Sequence, residues 1–293
     1  MSMRVRKAVF PVAGLGTRFL PASKAIPKEL VTVVDKPVLQ YAVEEARAAG
    51  IESFIFVSSL GKGALEDHFD RNMELEAKLE AKGKTALLEA VRAAALPDGA
   101  LQVVRQHAPL GLGHAVHCAA QVVGDEPFAV LLPDEVLVND PPCLKEMVEA
   151  YADLGGALLA TREVPRERTK SYGVLDPAEG ADASGKVVAA KGMVEKPAPE
   201  AAPSTQAIIG RYILPPAIFP ALAEGKTGAG GEIQLTDGID ALVGRAPVNG
   251  FRYDGARYDC GSMEGFLQAN IALGLRRPDL AEGLKAFIRA ELG

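Results

Sequence analysis

Short apolar runs alternate with amphipathic helical segments through the first 160 residues, and this alternation limits the fold more than any other feature. The runs 8–12, 53–57 and 129–132 have the length and composition of buried strands. The segment 38–49 repeats its apolar residues at helical spacing and stops at Gly50. A strand, a helix and a second strand within about 50 residues form the unit that builds parallel sheets. The pattern predicts an α/β fold with a Rossmann-like, doubly wound, mixed but mainly parallel sheet flanked by helices.

The chain beyond residue 162 has a different pattern of apolar residues. Two runs, 172–175 and 187–195, are typical of antiparallel strands around a turn rich in glycine, aspartate and alanine. A further strand is predicted at 207–214, and a closing strand pair at 251–260. Because no linker separates the two patterns, we expect one domain over 1–293, with a change of role near residue 160.

A long insertion, 64–96, is helical in composition, with one predicted break at Gly83. Its leucines supply an apolar stripe, and interleaved glutamates and lysines supply a solvated face. A partner-binding helical hairpin is the alternative; we expect the insertion to pack on its own domain.

The charge balance limits the classes of partner. There are 32 lysines and arginines against 38 aspartates and glutamates, a formal charge of −6, so no general basic surface serves nucleic acid or an anionic membrane. No apolar run approaches the roughly 18 to 20 residues that cross a bilayer, and no cleavage site follows the first run. Three distant cysteines, Cys118, Cys143 and Cys260, are typical of reduced thiols. We therefore expect a soluble cytoplasmic protein that binds neither nucleic acid nor membrane.

The segment 8–28 carries the first functional signal. A buried strand ends in a loop with Gly14 and Gly16, whose backbone amides can approach an anion closely. Three cations follow at once: Arg18, Lys24 and Lys28. Cations just beyond such a loop indicate a polyphosphate, and the hypothesis from these residues is a bound nucleoside triphosphate.

General phosphate and metal motifs fail at single positions. The dinucleotide fingerprint needs glycine where Phe19 stands, and the P-loop pattern at 180–187 has Val187 in place of the hydroxyl that binds magnesium. His114 and His117 lie three apart on a predicted helix, a spacing that can hold zinc, but no third ligand completes a convincing site. The opening loop is therefore the leading phosphate site.

Charged residues at strand ends stay ambiguous from spacing alone. Asp134 directly follows a buried strand, at the sheet edge where α/β folds bind ligands, but a turn or helix cap explains it equally well. Asp259 lies beside a glycine turn, and spacing does not show whether the two carboxylates meet. The adjacent Glu195 and Lys196 fit either a solvated surface or a ligand site.

A set of motifs in one order carries a family resemblance. Across about 250 residues the chain reads AGLGTRFLPASKAIPKEL, RQHAPLGLGHAV, LLPDEVL, YGV, VEKP, IGRYIL, GEIQLTD and YDCG. Together these resemble the bacterial UTP–glucose-1-phosphate uridylyltransferases, or UDP-glucose pyrophosphorylases, of the sugar-nucleotide transferase superfamily. The first motif belongs to the whole superfamily, whereas AIPKE, LGLGHAV and GEIQLTD in combination are much more specific to this family.

The resemblance implies a role for each matched position. The nucleotide base would be bound by Ala13, Gly14, Glu29, Gln106 and Gly111. The catalytic cations would be Arg18 and Lys28 on the triphosphate and Lys196 on the sugar phosphate. Glucose would be lined by Gly173, Glu195 and Gly210, and Mg²⁺ would be held by Asp134 and Asp259. Lys24 receives no ligand role, and Glu135, a departure from the family pattern, is left unassigned.

The implied reaction is Mg²⁺-dependent transfer of UMP from UTP to glucose 1-phosphate, with release of pyrophosphate. The resemblance also implies a homodimer or homotetramer, with the insertion 64–96 and the C-terminal segment as candidate contacts. Glu29 does not separate uracil from thymine, so a dTTP-specific or other-sugar enzyme of the same superfamily stays open. The alternative from another class is a non-catalytic, sugar-nucleotide-binding paralogue. Against it stands the retention of Arg18, Lys28, Asp134, Lys196 and Asp259.

Overall fold

The computed structural model describes residues 4–182 and 184–293. Its strands are β1 (Lys7–Pro11), β2 (Thr32–Val33), β3 (Lys36–Pro37), β4 (Ser53–Ser58), β5 (Leu101–Arg105), β6 (Phe128–Leu131), β7 (Glu135–Val138), β8 (Ala157–Glu163), β9 (Gly173–Pro177), β10 (Val187–Glu195), β11 (Gln206–Leu214), β12 (Val248–Arg252) and β13 (Ala256–Asp259). Its α-helices are α1 (Val38–Ala48), α2 (Ala64–Phe69), α3 (Met73–Ala81), α4 (Thr85–Ala94), α5 (Leu112–Cys118), α6 (Ala120–Val123), α7 (Cys143–Leu154), α8 (Ile218–Ala223), α9 (Leu235–Asp240), α10 (Met263–Gly274) and α11 (Ala281–Leu292). Short 3₁₀ helices lie at Thr17–Phe19, Ala22–Lys24, Lys28–Leu30, Arg166–Ser171, Pro199–Ala201 and Ala229–Gly231. None of the described helices is long and apolar enough to span a membrane.

One large sheet joins strands from both parts of the chain, in the order β5-β4-β1-β6-β11-β8-β12-β10-β9. β1 pairs in parallel with β4 and β6, β4 with β5, and β8 with β12. β11 runs antiparallel between β6 and β8, and β10 runs antiparallel between β12 and β9. The predicted mixed α/β sheet is confirmed. Along the described strand order the parallel pairs equal the antiparallel pairs, because β11 and β10 each run antiparallel to both of their neighbours.

Helices cover both faces of this sheet, and alternate strand residues point into two apolar clusters. Phe10 and Phe56 lie in one cluster with residues of α1 and α7, whereas Val9 and Ile55 lie in the other with residues of α5, α8 and α9. This division follows from the two-residue period of a strand. Burial on both faces explains why the first strands are continuous apolar runs.

The predicted closing strand pair, 251–260, is wrong in its partners. β12 joins the large sheet beside β8, whereas β13 pairs antiparallel with β7 in a separate two-stranded sheet. In that small sheet Asp259 lies opposite Glu135. The pairing brings the C-terminal motif to the loop after β6, which carries Asp134.

The insertion 64–96 forms three helices, α2, α3 and α4. It therefore contains one more break than the single one predicted at Gly83. The additional break follows α2, and Asn72 begins α3 by accepting a hydrogen bond at 3.0 Å from the backbone N–H of Leu75. The leucine stripe is divided between burial and exposure, since Leu88 is buried while Leu87 is 55% exposed. An apolar groove of about 790 Å³ separates the α3–α4 hairpin from α1 and the end of α10.

Candidate active site

The loop after β1 folds back on its own downstream lysine. Gly16 has φ +67°, and a Cβ at this position would lie 3.0 Å from Cβ of Lys28 and 3.2 Å from Cβ of Ser23. The hydroxyl of Ser23 donates to the carbonyl of Gly16 at 2.7 Å. Glycine is therefore required both by the left-handed backbone and by the close approach. The fold of this loop places Lys28 beside the glycines, as the triphosphate hypothesis requires.

A cavity of about 170 Å³ opens at this loop. It is lined by Gly14, Gly16, Thr17, Arg18, Phe19, Lys28, Asp134 and Gly261. Arg18 Nη1 donates to the carbonyl of Gly261 at 3.3 Å, which ties the N-terminal loop to the C-terminal motif. Lys24 is exposed and is not among the residues that line this cavity.

Lys28 and Asp134 form an ion pair across the cavity, with 2.7 Å between Nζ and Oδ2. Burial disfavours the charged form of both groups, but each partner more than offsets it for the other. The pKa of Asp134 is therefore lowered, with Arg18 adding to the effect of Lys28. The pKa of Lys28 is raised, chiefly by the Asp134 carboxylate. Both groups carry their charges at neutral pH.

Asp134 and Asp259 converge on Gly261. A Cβ built on Gly261 would lie 3.0 Å from Asp134 Oδ2, 3.0 Å from Asp259 Oδ1 and 3.5 Å from Arg18 Nη1. The amide of Gly261 donates to Asp259 Oδ1 at 3.0 Å, and the amide of Cys260 donates to the carbonyl of Asp134 at 2.7 Å. Two carboxylates in one place, beside a phosphate loop, suit a hard cation whose other ligands are phosphate oxygens and water.

No cluster of three His, Cys, Asp or Glu with metal-site geometry occurs within residues 4–182 and 184–293. A closed, all-protein site of the structural zinc type therefore has no ligand set in the described chain. His114 instead places Nδ1 3.0 Å from the side-chain nitrogen of Gln106. The donor set at Gly261 fits an open site for a divalent cation, in which substrate would complete the coordination.

Glu135, which the sequence leaves unassigned, is bound by an arginine. Arg257 donates to both carboxylate oxygens, at 2.7 and 2.5 Å, and also to the hydroxyl of Tyr172 at 3.2 Å. Burial opposes the charge on Arg257, yet the Glu135 carboxylate holds the pKa of the guanidinium above its ordinary value. A bidentate pair of this kind occupies both oxygens of Glu135. The added carboxylate of Glu135 therefore holds Arg257 in place.

The residues expected to bind the base form two groups in the structure. Glu29 is 2% exposed and accepts from Lys62 Nζ at 2.9 Å, and Lys62 also bonds the carbonyl of Gly14. Gln106 is 8% exposed and donates to the carbonyl of Gly111 at 3.2 Å. The structure thus joins Glu29 to the Gly14 loop, and Gln106 to Gly111.

Gly111 is held against the GEIQLTD motif. It has φ +104°, and a Cβ there would lie 2.7 Å from Cβ of Glu232 and 2.8 Å from the carbonyl of Ile233. Backbone bonds at 2.8 Å run from Ile233 to Leu110 and from Gly113 to Ile233. Two motifs that are about 120 residues apart therefore form one backbone-paired wall.

The expected sugar residues form a second group around Glu195. Gly173 lies opposite Glu195 in the β9–β10 ladder, and a Cβ on Gly173 would lie 3.2 Å from Glu195 Oε2. Lys196 Nζ lies 3.2 Å from Glu195 Oε1, and the backbone of Lys196 has φ +49°. A non-glycine residue with positive φ is uncommon and recurs at ligand sites.

Gly210 lies at an irregularity in β11, with φ +65°. A Cβ here would lie 2.9 Å from Cγ of Glu135 and 3.1 Å from Cβ of Leu132. Gly210 therefore lets β11 approach the strand end that carries Asp134. The residues expected to bind sugar and metal are connected by two contacts. Glu135, next to Asp134, lies against Gly210, and its partner Arg257 bonds Tyr172, next to Gly173.

Three residues of this site are missed by sequence reasoning: Lys62, Thr236 and Arg257. Thr236 donates to Glu195 Oε2 at 2.7 Å, and Arg257 holds Glu135. Thr236 lies inside the quoted GEIQLTD motif, so the motif was a signal for it. Arg257 is 122 residues from Glu135, and spacing alone offers no signal for that pair.

The mixed sheet, glycine loop and paired carboxylates define an enzyme of the nucleotidyl transferase class, and the family model described as "Nucleotidyl transferase" matches residues 7–274. The UTP–glucose-1-phosphate uridylyltransferase of Komagataeibacter xylinus is 51% identical over 88% of this chain and 90% of its own length. The enzyme of that name from Bacillus subtilis is 46% identical over 99% of this chain and 98% of its own. The chain therefore belongs to the UTP–glucose-1-phosphate uridylyltransferase family.

Solved structures agree with this assignment. A UDP-glucose pyrophosphorylase from Acinetobacter baumannii matches with a TM-score of 0.88 and 44% identity, over 99% of this chain and 100% of that one. A UTP-bound structure from the same organism gives 0.87 and 44%, over 97% and 98%. A UDP-glucose pyrophosphorylase complexed with UDP-glucose gives 0.84 and 40%, over 93% and 100%.

Proposed function

We propose that this chain transfers UMP from UTP to glucose 1-phosphate, giving UDP-glucose and pyrophosphate. The observation that carries the proposal is the convergence of Arg18, Asp134 and Asp259 on Gly261, with Lys28 paired to Asp134 in the same cavity beside the glycine loop. Relatives named for this activity, and solved structures with UTP and with UDP-glucose, support it.

In this proposal each group of residues has one task. Ala13, Gly14, Glu29, Gln106 and Gly111 bind the base. Gly173, Glu195 and Gly210 line the glucose, with Thr236 orienting Glu195 through its hydrogen bond. Arg18 and Lys28 hold the triphosphate, and Lys196 holds the phosphate of the sugar.

The reaction is a direct in-line displacement. An oxygen of glucose 1-phosphate forms a bond to the α-phosphorus of UTP, and the bond from that phosphorus to the bridging oxygen breaks, so pyrophosphate leaves with the electron pair. No protein nucleophile is needed, and catalysis comes from positioning and from neutralised charge. Two unit charges about 4 Å apart repel by about 4 kcal/mol at an effective dielectric of 20. Three cations on the two phosphate groups lower this repulsion.

Nucleotidyl transferases use a divalent metal ion. We propose Mg²⁺, because Asp134 and Asp259 offer carboxylate oxygens that converge at Gly261. When bound, the ion supplies positive charge to the phosphate oxygens. The guanidinium of Arg18 donates to the carbonyl of Gly261 and adds a second, fixed positive charge at this place. With a divalent ion on Asp134, Lys28 would be available to hold the triphosphate.

The remaining expectations have support of different kinds. The large sheet takes strands from both sides of residue 160, which supports one nucleotidyl transferase domain over 1–293, with nucleotide residues before about 160 and sugar residues mainly after. We propose a cytoplasmic homodimer or homotetramer whose contacts include the α3–α4 hairpin and α11, where Leu87 and Phe287 are 55% and 61% exposed. Light scattering on Leu87→Glu and Phe287→Glu tests the contacts, since unchanged mass in both variants rejects them.

One assay tests the proposed reaction. Pyrophosphate release is measured with glucose 1-phosphate and each of UTP, dTTP, CTP and ATP, with Mg²⁺ present. We expect the highest kcat/KM with UTP. A preference for dTTP would favour the thymidylyltransferase alternative, and galactose 1-phosphate in place of the glucose ester tests the other-sugar alternative. Nucleotide binding without pyrophosphate release from any triphosphate would favour the non-catalytic paralogue.

A further inference from the structure

Lys62 lies in the loop between β4 and α2 and is 8% exposed. Its ammonium donates to the carbonyl of Val12 at 2.5 Å, the carbonyl of Gly14 at 2.7 Å and Glu29 Oε2 at 2.9 Å. An ammonium has three hydrogens, so these acceptors use its whole donor capacity. Lys62 is therefore committed to protein groups and has no hydrogen left for a phosphate.

The two carboxylate oxygens of Glu29 have different surroundings. Oε2 accepts from Lys62, whereas Oε1 is buried and has no hydrogen-bond partner in the described part of the chain. Buried polar atoms are nearly always paired, so this oxygen indicates a donor that arrives with a ligand. Because Lys62 also bonds Gly14, the unpaired oxygen belongs to a carboxylate fixed beside the loop that contacts the base in the proposed function.

Pyrimidine bases differ in what they present at N3. Uracil and thymine carry an N3–H, which is a donor, whereas cytosine presents a lone pair at N3. A carboxylate accepts from the first two bases and repels the third, because two acceptors that face each other are both left unpaired. An ionised, immobile glutamate therefore discriminates against cytosine.

We propose that Lys62 is a positioning residue for base selection: it fixes Glu29 as an acceptor for N3–H and thereby excludes CTP. The inference rests on the nucleotide site of the proposed function and deepens it. Burial raises the pKa of Glu29, and the ammonium of Lys62 is the first charge that opposes this rise, with Lys28 the next. Without Lys62 the buried carboxyl holds a proton more readily, and its O–H can then donate to N3 of cytosine.

The test compares Lys62→Met with the wild type and with Lys82→Met, a control at an exposed lysine. The kcat/KM values for UTP and CTP are measured between about pH 6 and about pH 9. In Lys62→Met we expect the UTP-to-CTP ratio to fall at least about tenfold, with the larger loss at the acid end because protonation of Glu29 is favoured there. Lys82→Met should keep the wild-type ratio at every pH.

Equilibrium binding of UTP and CTP, measured by calorimetry without sugar phosphate, separates this inference from the proposed reaction. If the wild type binds UTP more tightly than CTP but releases no pyrophosphate, the proposed reaction is rejected and the role of Lys62 in base selection is retained. If Lys62→Met does not fold, Glu29→Gln replaces it: Lys62 would hold the amide oxygen, so the amide nitrogen would face the base and the preference for UTP over CTP should be lost at any pH. If folded Lys62→Met, or Glu29→Gln, prefers UTP over CTP as strongly as the wild type does, the role of Lys62 in base selection is rejected.

Discussion

Lys28 and Asp134 neutralise each other at 2.7 Å across the cavity that the triphosphate and the metal would share. The cation proposed for phosphate and the carboxylate proposed for metal are thus partners before any ligand arrives. Arg18 reaches the same cavity through Gly261. A bound triphosphate would pair with Lys28 and a bound divalent ion with Asp134, so each of the two charges would keep a partner.

Asp134→Asn is expected to lower turnover by at least about 100-fold, because a metal ligand loses its charge and Lys28 loses its partner. The fold should survive, since the amide of Cys260 bonds the backbone carbonyl of residue 134, which the change leaves in place. Pyrophosphate release over a Mg²⁺ titration measures the effect. Asp153→Asn, an exposed carboxylate on α7, is the control. Near-normal turnover of Asp134→Asn at high Mg²⁺ would show that Asp134 is not a metal ligand.

Lys196→Ala should act on the acceptor substrate. Loss of a charge-assisted bond to the sugar phosphate should raise KM for glucose 1-phosphate by roughly tenfold to a hundredfold, with a smaller change for UTP. Lys191→Ala, at a half-exposed lysine of β10 shortly before Lys196, supplies the control. Equal losses for both substrates would point to a structural role for Lys196.

Gly111→Ala and Gly99→Ala separate backbone strain from steric exclusion. Both glycines have positive φ, but an added Cβ meets the GEIQLTD backbone at Gly111 and finds nothing within 4 Å at Gly99. Gly99→Ala should cost about 1 kcal/mol of unfolding free energy and leave kinetics unchanged. Gly111→Ala should cost more and raise KM for UTP. Denaturation curves and steady-state kinetics on both variants decide this, and matching results would remove Gly111 from the base site.

Glu76 gives the α3–α4 hairpin a predictable acid sensitivity. Its side chain is bonded by Arg71 and by Arg92, and these bonds lower its pKa to about 2. A carboxyl with a depressed folded-state pKa stabilises the protein above its unfolded pKa, and that contribution disappears as pH falls towards the folded value. The wild type should therefore be more stable than Glu76→Gln above about pH 5, and the gap should shrink below about pH 4.5.

Urea denaturation from about pH 6 to about pH 3 measures that gap. Glu80→Gln, an exposed glutamate later on α3, is the matched control and should show no such pH trend. A gap between the wild type and Glu76→Gln that stays constant through the acid range would contradict the role of the two arginines.

Local features of the fold were predictable, whereas partners distant in sequence were not. The apolar run before Gly14 and the helix that stops at Gly50 follow from periodicity and glycine, which act over a few residues. The break before Asn72 contains no glycine or proline, so the sequence pattern does not predict it. The cap geometry at Asn72 identifies it in the structure. A strand pair was expected within 251–260, but β12 pairs with β8 and β13 with β7, and this second pairing is what places Asp259 beside Asp134.

The site residues divide in the same way. Arg18 and Lys28 were suggested by the loop itself, because cations next to a strand-ending glycine loop have a local physical reason. The positions of Glu195 and Gly210 came from family resemblance. The bonds from Thr236 to Glu195 and from Arg257 to Glu135 join residues that are 41 and 122 positions apart, and no periodicity encodes such contacts.

The bond from Arg18 to Gly261 spans 243 positions of the chain. During synthesis the glycine loop therefore leaves the ribosome long before the segment that forms its opposite wall exists. Contacts so distant in sequence form late, after the loops between them have closed. Chains terminated before residue 261 should accordingly be inert rather than weakly active. The cavity that Arg18 and Gly261 line is therefore complete only after residue 261 has been synthesised.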